Sequence, residues 1–530
     1  MGLNNTIFLS NYAGEYGAAL CREANATGGF GGNNSFIKNH AEIAGAALAW
    51  LGVDGININN YKFINNTADL SGGAIYVRGD SPNCKVRNSY FENNRVNDVQ
   101  NGQGGAIDWL GENGYIYNST FKDSFAHTGG TLFVSSNNMN ITLSNFTGSR
   151  ALGEGGVILL LSNNTTITDS IFEFSVALER GGVISAYDAY NATISDCKFD
   201  SNVAAGYIDP SDRYYGDGGT ISWINGNNLK IINSEFNDTQ AHAYGGSLYI
   251  VNVNDSSIFN TSFHGMLAVQ DGGAIYWVNS TNVTIDLCNI TSSSASYQGG
   301  AIYVENINDT RIINSNFDDI STPRGNGGTL YIDGNVTLYN DTFTNFKAST
   351  GYAGAIYFCN GNSTLSNSSF DGIDAIWINK DATLKMTKNN ITADIKNKNT
   401  TYLTTPYNIV TNPVPYSVWN DGNLTLDKNN FDCLIFNDEG IIDSPTVIKI
   451  LDNTTVYADW NSNFTFWASI YDDNNNTIIS VSKLNTTNDV EHGWYPMSYN
   501  AWTTQVYYNG TFHISGKDIG LPMLLYITVR

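Results

Sequence analysis

The sequence predicts an all-β protein: a right-handed parallel β-helix over residues 1–440 followed by an immunoglobulin-like β-sandwich over residues 446–530. Three observations carry this reading. One pattern, F-x-x-[NS]-x-A-x-x-x-G-[GA]-x-[IL], recurs from Phe8 to about residue 370. Within each period, short alternating runs such as Ala301-Ile302-Tyr303-Val304 and Arg311-Ile312-Ile313 are separated by Gly, Asn, Asp and Ser, which is strand and turn chemistry with no helical period. After Pro445 the pattern is gone, and about 85 residues of short strand-like runs remain, a little below the ~100 of an immunoglobulin-like domain.

The repeat comes first in the chain. Clear copies begin at Phe8, Phe36, Phe63, Phe146, Phe172, Phe236 and Phe263, and altered ones at Phe91, Phe121, Phe199, Ile290, Phe317 and Phe343. The first Gly of each pair runs from Gly17 and Gly45 to Gly299 and Gly327, with Ala353 in the same place; most steps are 25 to 28 residues, and the long ones are 32 and 37. Leucine-rich repeats need an L-x-x-L-x-L core, and propeller blades need roughly 40 residues. A coil of three strands, stacked at the ~4.8 Å spacing of paired strands, fits instead.

Stacking turns each repeat position into a column. The Phe column reads as an inward aromatic stack. Three places before it, Asn5, Asn33, Asn60, Asn88, Asn118, Asn233, Asn260, Asn314, Asn340 and Asn367 read as an amide ladder at a turn, each side chain bonding its neighbours above and below. After the Gly pair, Leu20, Leu48, Ile75, Ile107, Leu132, Ile158, Ile184, Ile221, Leu248, Ile275, Ile302, Leu330 and Ile356 face inward. By alternation the next residue faces outward: Cys21, Ala49, Tyr76, Asp108, Phe133, Leu159, Ser185, Ser222, then Tyr249, Tyr276, Tyr303, Tyr331 and Tyr357. Those five tyrosines are expected to line one exposed strip.

Regular coils occupy 1–370. Degenerate ones follow over 371–440, with Pro406, Pro413 and Pro415 where a coil loops out or a solenoid is capped. In the tail, Phe464-Thr465-Phe466-Trp467-Ala468-Ser469-Ile470 alternates, and the turn Asp472-Asp473-Asn474-Asn475-Asn476 follows it.

Composition narrows the function. The chain of 530 residues carries 26 Lys plus Arg against 49 Asp plus Glu, a net charge of -23, which argues against a nucleic-acid partner. Asn alone supplies about 70 positions, far above ordinary usage. No apolar run approaches the ~18 residues of a membrane span, and Met1-Gly2-Leu3-Asn4-Asn5 lacks signal-peptide character, so the chain is expected to be a segment of a longer exported protein, without its signal or anchor. Cys21, Cys84, Cys197, Cys288, Cys359 and Cys433 form no C-x-x-C pair and fall at least two coils apart, beyond the ~7 Å a disulfide spans, so all six are expected to be reduced.

The combination of G-G-A-[IL] with F-x-x-N resembles the repeats of polymorphic outer-membrane and related adhesin-like β-helix proteins. With the degenerate coil Asn420-Asp421-Gly422-Asn423-Leu424-Thr425-Leu426, the run Ile441-Ile442-Asp443-Ser444-Pro445 and the immunoglobulin-like tail, the chain is similar to adhesin-like surface proteins of methanogenic archaea. This resemblance implies an extracellular, cell-surface adhesion role and a partner on another cell, a glycan or a protein. It supplies no catalytic residue. The alternatives are a polysaccharide lyase or glycosidase on the same scaffold, and a purely structural stalk. A lyase needs a cationic group beside the carbanion-like centre, and no Arg or Lys stands in the Gly-pair columns. A glycosidase needs only two carboxyls; Asp108, Asp188, Glu305 and Asp333 could serve. A binder is the expected reading, acting as a monomer, with no cofactor required. Ca²⁺ is compatible with Asp209, Asp212 and Asp217.

The candidate binding surface follows from the two long periods. They insert Val96 to Gln103 before Gly104 and Ala205 to Asp217 before Gly218, at the same turn of the coil and four coils apart, ~19 Å. These insertions are expected to rim Asp108, Phe133, Leu159, Ser185 and Ser222. The second adds Tyr207, Asp209, Asp212, Tyr214 and Tyr215, and the strip Tyr249, Tyr276, Tyr303, Tyr331 and Tyr357 starts beyond it. Aromatic faces flanked by Asp and Asn suit sugar rings; stacked tyrosines that only stabilise a sheet are the competing reading.

Overall fold

The computed structural model describes residues 4–24, 31–208, 214–349, 353–372 and 375–392, and beyond these the backbone of strand segments between 418 and 529. The chain divides into two units, residues 1–283 and 284–530, each taken by itself below. Among the described residues all regular elements are strands.

In the first unit one turn consists of four short strands, seen in Leu48–Leu51, Asn57–Asn59, Lys62–Ile64 and Thr67–Ala68. Each pairs in parallel with its counterpart one repeat later. Leu48 aligns with Ile75 and Ile107, Ile58 with Val86 and Ile116, Phe63 with Phe91 and Phe121, and Ala68 with Val96. The unit is thus a parallel β-helix with four strands per coil, which corrects the expected three. The fourth strand is two residues long, too short for alternation to mark it in the sequence.

The columns are those of the repeat. Phe8, Phe36, Phe63, Phe91, Phe121, Phe146, Phe172, Phe199, Phe236 and Phe263 form one file with ring centroids 4.5 to 5.1 Å apart and planes within 2° to 15°. From Phe36 onward each ring is fully buried. The ~4.8 Å strand spacing falls within the centroid range of offset-stacked rings, so an offset stack follows from register alone. The Asn column three places earlier adopts left-handed φ near 50°, and Asn118 Nδ2 donates to Asn88 Oδ1 (2.6 Å) as Asn260 Nδ2 does to Asn233 Oδ1 (2.9 Å). Asn tolerates that backbone region better than other residues with a Cβ.

Two polar ladders lie inside the core. Asn39, Asn66 and Asn94 are buried, with Asn39 Nδ2 donating to Asn66 Oδ1 (2.9 Å) and Asn66 Nδ2 to Asn94 Oδ1 (3.0 Å). Two places before each Phe, the Ser119, Ser144 and Ser170 hydroxyls each accept from the backbone N–H one coil earlier and donate to the carbonyl two residues back. Cys197 occupies the same column, its thiol donating to Ser195 O (3.2 Å). Burial pushes the Cys197 thiol up to about 12 and that of Cys84 to about 11, so both are inert fillers and not nucleophiles. Cys21, Cys84, Cys197, Cys288 and Cys359 are free thiols, as expected from their spacing; Cys433 lies outside the described residues.

The Gly pair closes the turn. Gly155 has φ 64°, and a Cβ there would lie 2.2 Å from Ile158 O; on Gly156 it would lie 2.0 Å from Gly182 O in the next coil. The first Gly therefore makes the corner, and the second lets two coils touch.

In the second unit the short strands merge. Ile302–Ile313 pairs with Leu330–Tyr339, and that with Ile356–Ser366; Asn316–Thr322 pairs with Thr342–Ala348, all parallel. The inward files continue as Ile302, Leu330, Ile356, Ile376 and Val418, and as Phe317, Phe343, Phe370 and Ile391. Farther on, Asn463–Tyr471 pairs antiparallel with Thr477–Thr486, and Thr477–Thr486 with Leu524–Val529. The side chains on which an immunoglobulin-like core over 446–530 would rest lie outside the described residues.

Candidate functional site

The outward column is where the sequence places it, but a corner covers it. Each glycine turn folds back against the column of the following coil: a Cβ on Gly45 would lie 2.8 Å from Tyr76 Cβ, and one on Gly72 lies 3.3 Å from Asp108 Cβ. Phe133, Leu159, Ser185 and Ser222 are buried as a result, and Asp108 is 3% exposed. In the first unit Tyr249 and Tyr276 stack at 5.3 Å and are half-buried. In the second, Tyr303, Tyr331 and Tyr357 stack at 4.8 and 5.4 Å and are only 8%, 9% and 8% exposed. The expected exposed strip is therefore corrected: in the second unit these three rings are buried and stack on each other. Alternation gives the direction of a side chain; it does not reveal what the corner lays over it.

The two insertions differ. In Val96 to Gln103, the Asp98 carboxylate accepts the backbone N–H of Gln100 (2.8 Å) and Asn101 (3.1 Å), which hold its carboxyl below the usual range. It is a closed polar loop. The second insertion leaves the coil at Gly206 and returns at Gly216, both packed on the His242 side chain. Its stem is a small hairpin: Tyr215 N–H donates to Tyr207 O (2.9 Å), Ile208 and Tyr214 bridge antiparallel, and the Tyr207 and Tyr215 rings stack at 4.5 Å within 10°. Tyr207, Ile208 and Tyr214 are 42%, 50% and 37% exposed. The Tyr207 hydroxyl donates to Glu179 Oε1 (3.2 Å), which stands the ring on the coil beneath. Asp209 and Asp212 lie outside the described residues.

Beside this hairpin stands a charged rung. Glu154, Arg180 and Asp217 are bridge partners on successive coils, each immediately before a Gly pair. Arg180 Nη1 donates to Glu154 Oε1 (3.0 Å) and Nε to Asp217 Oδ2 (3.1 Å), and the Tyr187 hydroxyl joins Glu154 and Arg180. Burial works against the Arg180 charge, but Tyr187, Asp217 and Glu154 outweigh it and hold the guanidinium firmly protonated. Asp217, read from the sequence as a possible Ca²⁺ ligand, is thus an ion-pair partner. Among the described residues no three His, Cys, Asp or Glu side chains converge as a metal site would require. Sequence reasoning missed Arg180 because it searched the columns after the Gly pair; the position before the pair carries the cation.

A carboxylate pair also forms in the second unit. Glu305 and Asp333 are register partners on adjacent coils, and Tyr303 OH donates to Glu305 Oε2 (2.9 Å). Burial, then the nearby Glu305, raises the Asp333 carboxyl above its ordinary value.

With fold and site in view, the chain is a parallel β-helix repeat protein. Residues 60–78 match the Chlamydia polymorphic membrane protein repeat, the segment containing Phe63, Gly72-Gly73-Ala74-Ile75 and Tyr76. No curated protein matches the chain in sequence. Among solved structures it is similar to the alginate lyase AlyF-OU02 in complex with G6 (13% identity, TM-score 0.34, 73% of this chain and 79% of that one). It is also similar to a double mutant of the tailspike protein of E. coli bacteriophage HK620 in complex with pentasaccharide (13% identity, TM-score 0.27, 93% and 87%). Among the described residues no helix is long and apolar enough to cross a membrane.

Proposed function

We propose that this chain is the binding part of an extracellular adhesin-like surface protein and that the hairpin at Tyr207 to Tyr215 takes a saccharide of another cell's surface. One observation carries the reading: the exposed Tyr207 ring is held on the coil by its stack on Tyr215 and by Glu179, and the exposed Tyr214 stands beside it on the strand that bridges Ile208. A sugar presents apolar C–H faces and hydroxyl edges, so a fixed ring beside a carboxylate offers both contacts it needs. The archaeal surface proteins noted above, with an immunoglobulin-like tail over 446–530, are the family this reading favours, and the chain acts as a monomer without a required cofactor. A glycan screen tests it. Tyr207→Ala and Tyr214→Ala are expected to lose at least tenfold in affinity for the selected glycan, whereas unchanged binding by both folded variants would sink the assignment.

A second reading, glycoside hydrolysis, has one observation in its favour. Adjacent rungs ~4.8 Å apart set Glu305 and Asp333 close to the ~5–5.5 Å separation of a retaining pair, Asp333 being the group more ready to keep its proton. Release of shortened saccharide that Asp333→Asn abolishes would establish it.

A further inference from the structure

On the strand Lys85–Arg87 the middle residue, Val86, is buried in the core, and alternation puts Lys85 and Arg87 together on the outward face, both half-buried. Their register partners are Asn57 and Asn59 on the preceding coil and Tyr115 and Tyr117 on the following one. Three rungs at ~4.8 Å spacing thus place two cations between amides on one side and two phenols on the other.

These cations differ from others of the chain in having no counter-charge. Arg78, Lys122, Arg180 and Lys198 each hold a carboxylate at 2.6 to 4.0 Å. Lys85 and Arg87 hold none among the described residues, and Arg87 Nε is buried there with no hydrogen-bond partner. Asp54, in the turn before Asn57, accepts Asn83 Nδ2 (2.8 Å) instead. The guanidinium carbon of Arg87 lies 5.4 Å from the Tyr115 ring centre, and the Tyr115 and Tyr117 rings stand 6.0 Å apart within 13° of parallel. A cation over a ring is oriented without being neutralised. Arg87 is therefore a fixed, uncompensated fork, the group that matches a carboxylate with two parallel N–H bonds.

We infer that this patch is a second binding site, separate from the hairpin, and that it takes a uronate of an acidic saccharide. The sugar carboxylate sits on Arg87 and Lys85, its ring lies against Tyr117, and its hydroxyls meet the exposed amide of Asn57. Tyr115 is a positioning residue that holds the guanidinium. The hairpin sets a carboxylate, Glu179, against Tyr207 and repels the same group, so the two sites divide neutral from acidic sugars. A nucleic acid fits less well, because a run of phosphates needs clustered cations and here two stand in a chain of net charge -23. An Arg–Tyr pair that only stabilises the sheet is the competing account, and a binding measurement separates the two.

Calorimetry of the intact chain with tetramers of galacturonate, mannuronate and glucuronate, each beside its neutral galactose, mannose or glucose counterpart, tests this. At least one uronate tetramer is expected to bind, with its neutral counterpart weaker by roughly tenfold or more, the scale of a charge-assisted bond. Arg87→Gln and Lys85→Gln, which keep a polar side chain and lose the charge, should each weaken it by a similar factor, while Tyr207→Ala binds as the native chain does. Should Arg87→Gln not fold, Lys85→Gln decides. Failure of all three uronate tetramers to bind overturns the inference, and so does binding that the folded charge variants leave unchanged. Loss of uronate binding in Tyr207→Ala would move the acidic sugar to the hairpin, and tighter binding of a thymidine tetranucleotide would assign the patch to nucleic acid; either result overturns it as well.

Discussion

Coils in residues 4–283 and those in 284–392 share their inward files but differ in everything around them. In the first unit a coil such as 48–77 is cut into four strands by turns like Gly52-Val53-Asp54-Gly55, and its outward column mixes Tyr76, Asp108, Phe133, Leu159, Ser185 and Ser222. In the second, Ile302–Ile313 and Leu330–Tyr339 run through the corresponding corners as single strands, and the column repeats Tyr303, Tyr331 and Tyr357. Both insertions, the Arg180 rung and Asp108 belong to the irregular unit. A uniform column stacks on itself and seals; a varied one leaves polar groups that must find other partners. The hairpin site proposed above therefore lies where the coils vary, beside the column and not on its repeated tyrosines.

The largest expected effect is at the coil contact. Gly156→Val, whose Cβ would meet Gly182 O at 2.0 Å, and Gly328→Val, which would meet Gly354 O at 2.1 Å, should each cost more than ~4 kcal/mol, as forced backbone separation does. Thermal melts in which either variant unfolds like the native chain would break the equivalence of the two corners. Gly327→Ala should be milder, ~1–2 kcal/mol, because Ala353 already holds φ 60° at that position one coil later.

Next come the aromatic files. Tyr331→Ala and Phe172→Ala are each expected to destabilise by ~3–5 kcal/mol, as truncation of a buried ring does, and Tyr207→Ala by less than ~0.5 kcal/mol, as at an exposed position. Equal losses at Tyr331 and Tyr207 in urea titrations would erase the distinction between a structural and a displayed tyrosine.

The pH response is smaller and separates the units by residue. The native carboxyls of Asp108 and Asp341 are raised to about 7 and about 8, so the folded chain binds more protons than the unfolded one. Their stabilising contribution is complete below about pH 4, the unfolded value, and is lost as pH rises through 7 and then 8. Asp341→Ser, which restores the residue of Ser315 and Ser368 in that column, should flatten the upper part of this decline and leave the lower part to Asp108. A decline that Asp341→Ser and Asp108→Asn together leave intact would assign it to other groups.

The sequence by itself determined the parallel β-helix, the identity of the inward files, the amide ladder at a turn and the reduced state of the described cysteines. These depend on register, and a period of 25 to 28 residues with one Phe and one Gly pair sets register without reference to anything distant. Even the insertion at Tyr207 was legible, because a 37-residue step in that series has to leave the coil somewhere. Only the tertiary structure decided which outward side chains meet solvent, that Arg180 pairs with residues 26 positions before and 37 after it, and that Asp108 is buried. A column position gives direction along one strand, whereas burial depends on the corner of a neighbouring coil, and that corner comes from residues a full period away.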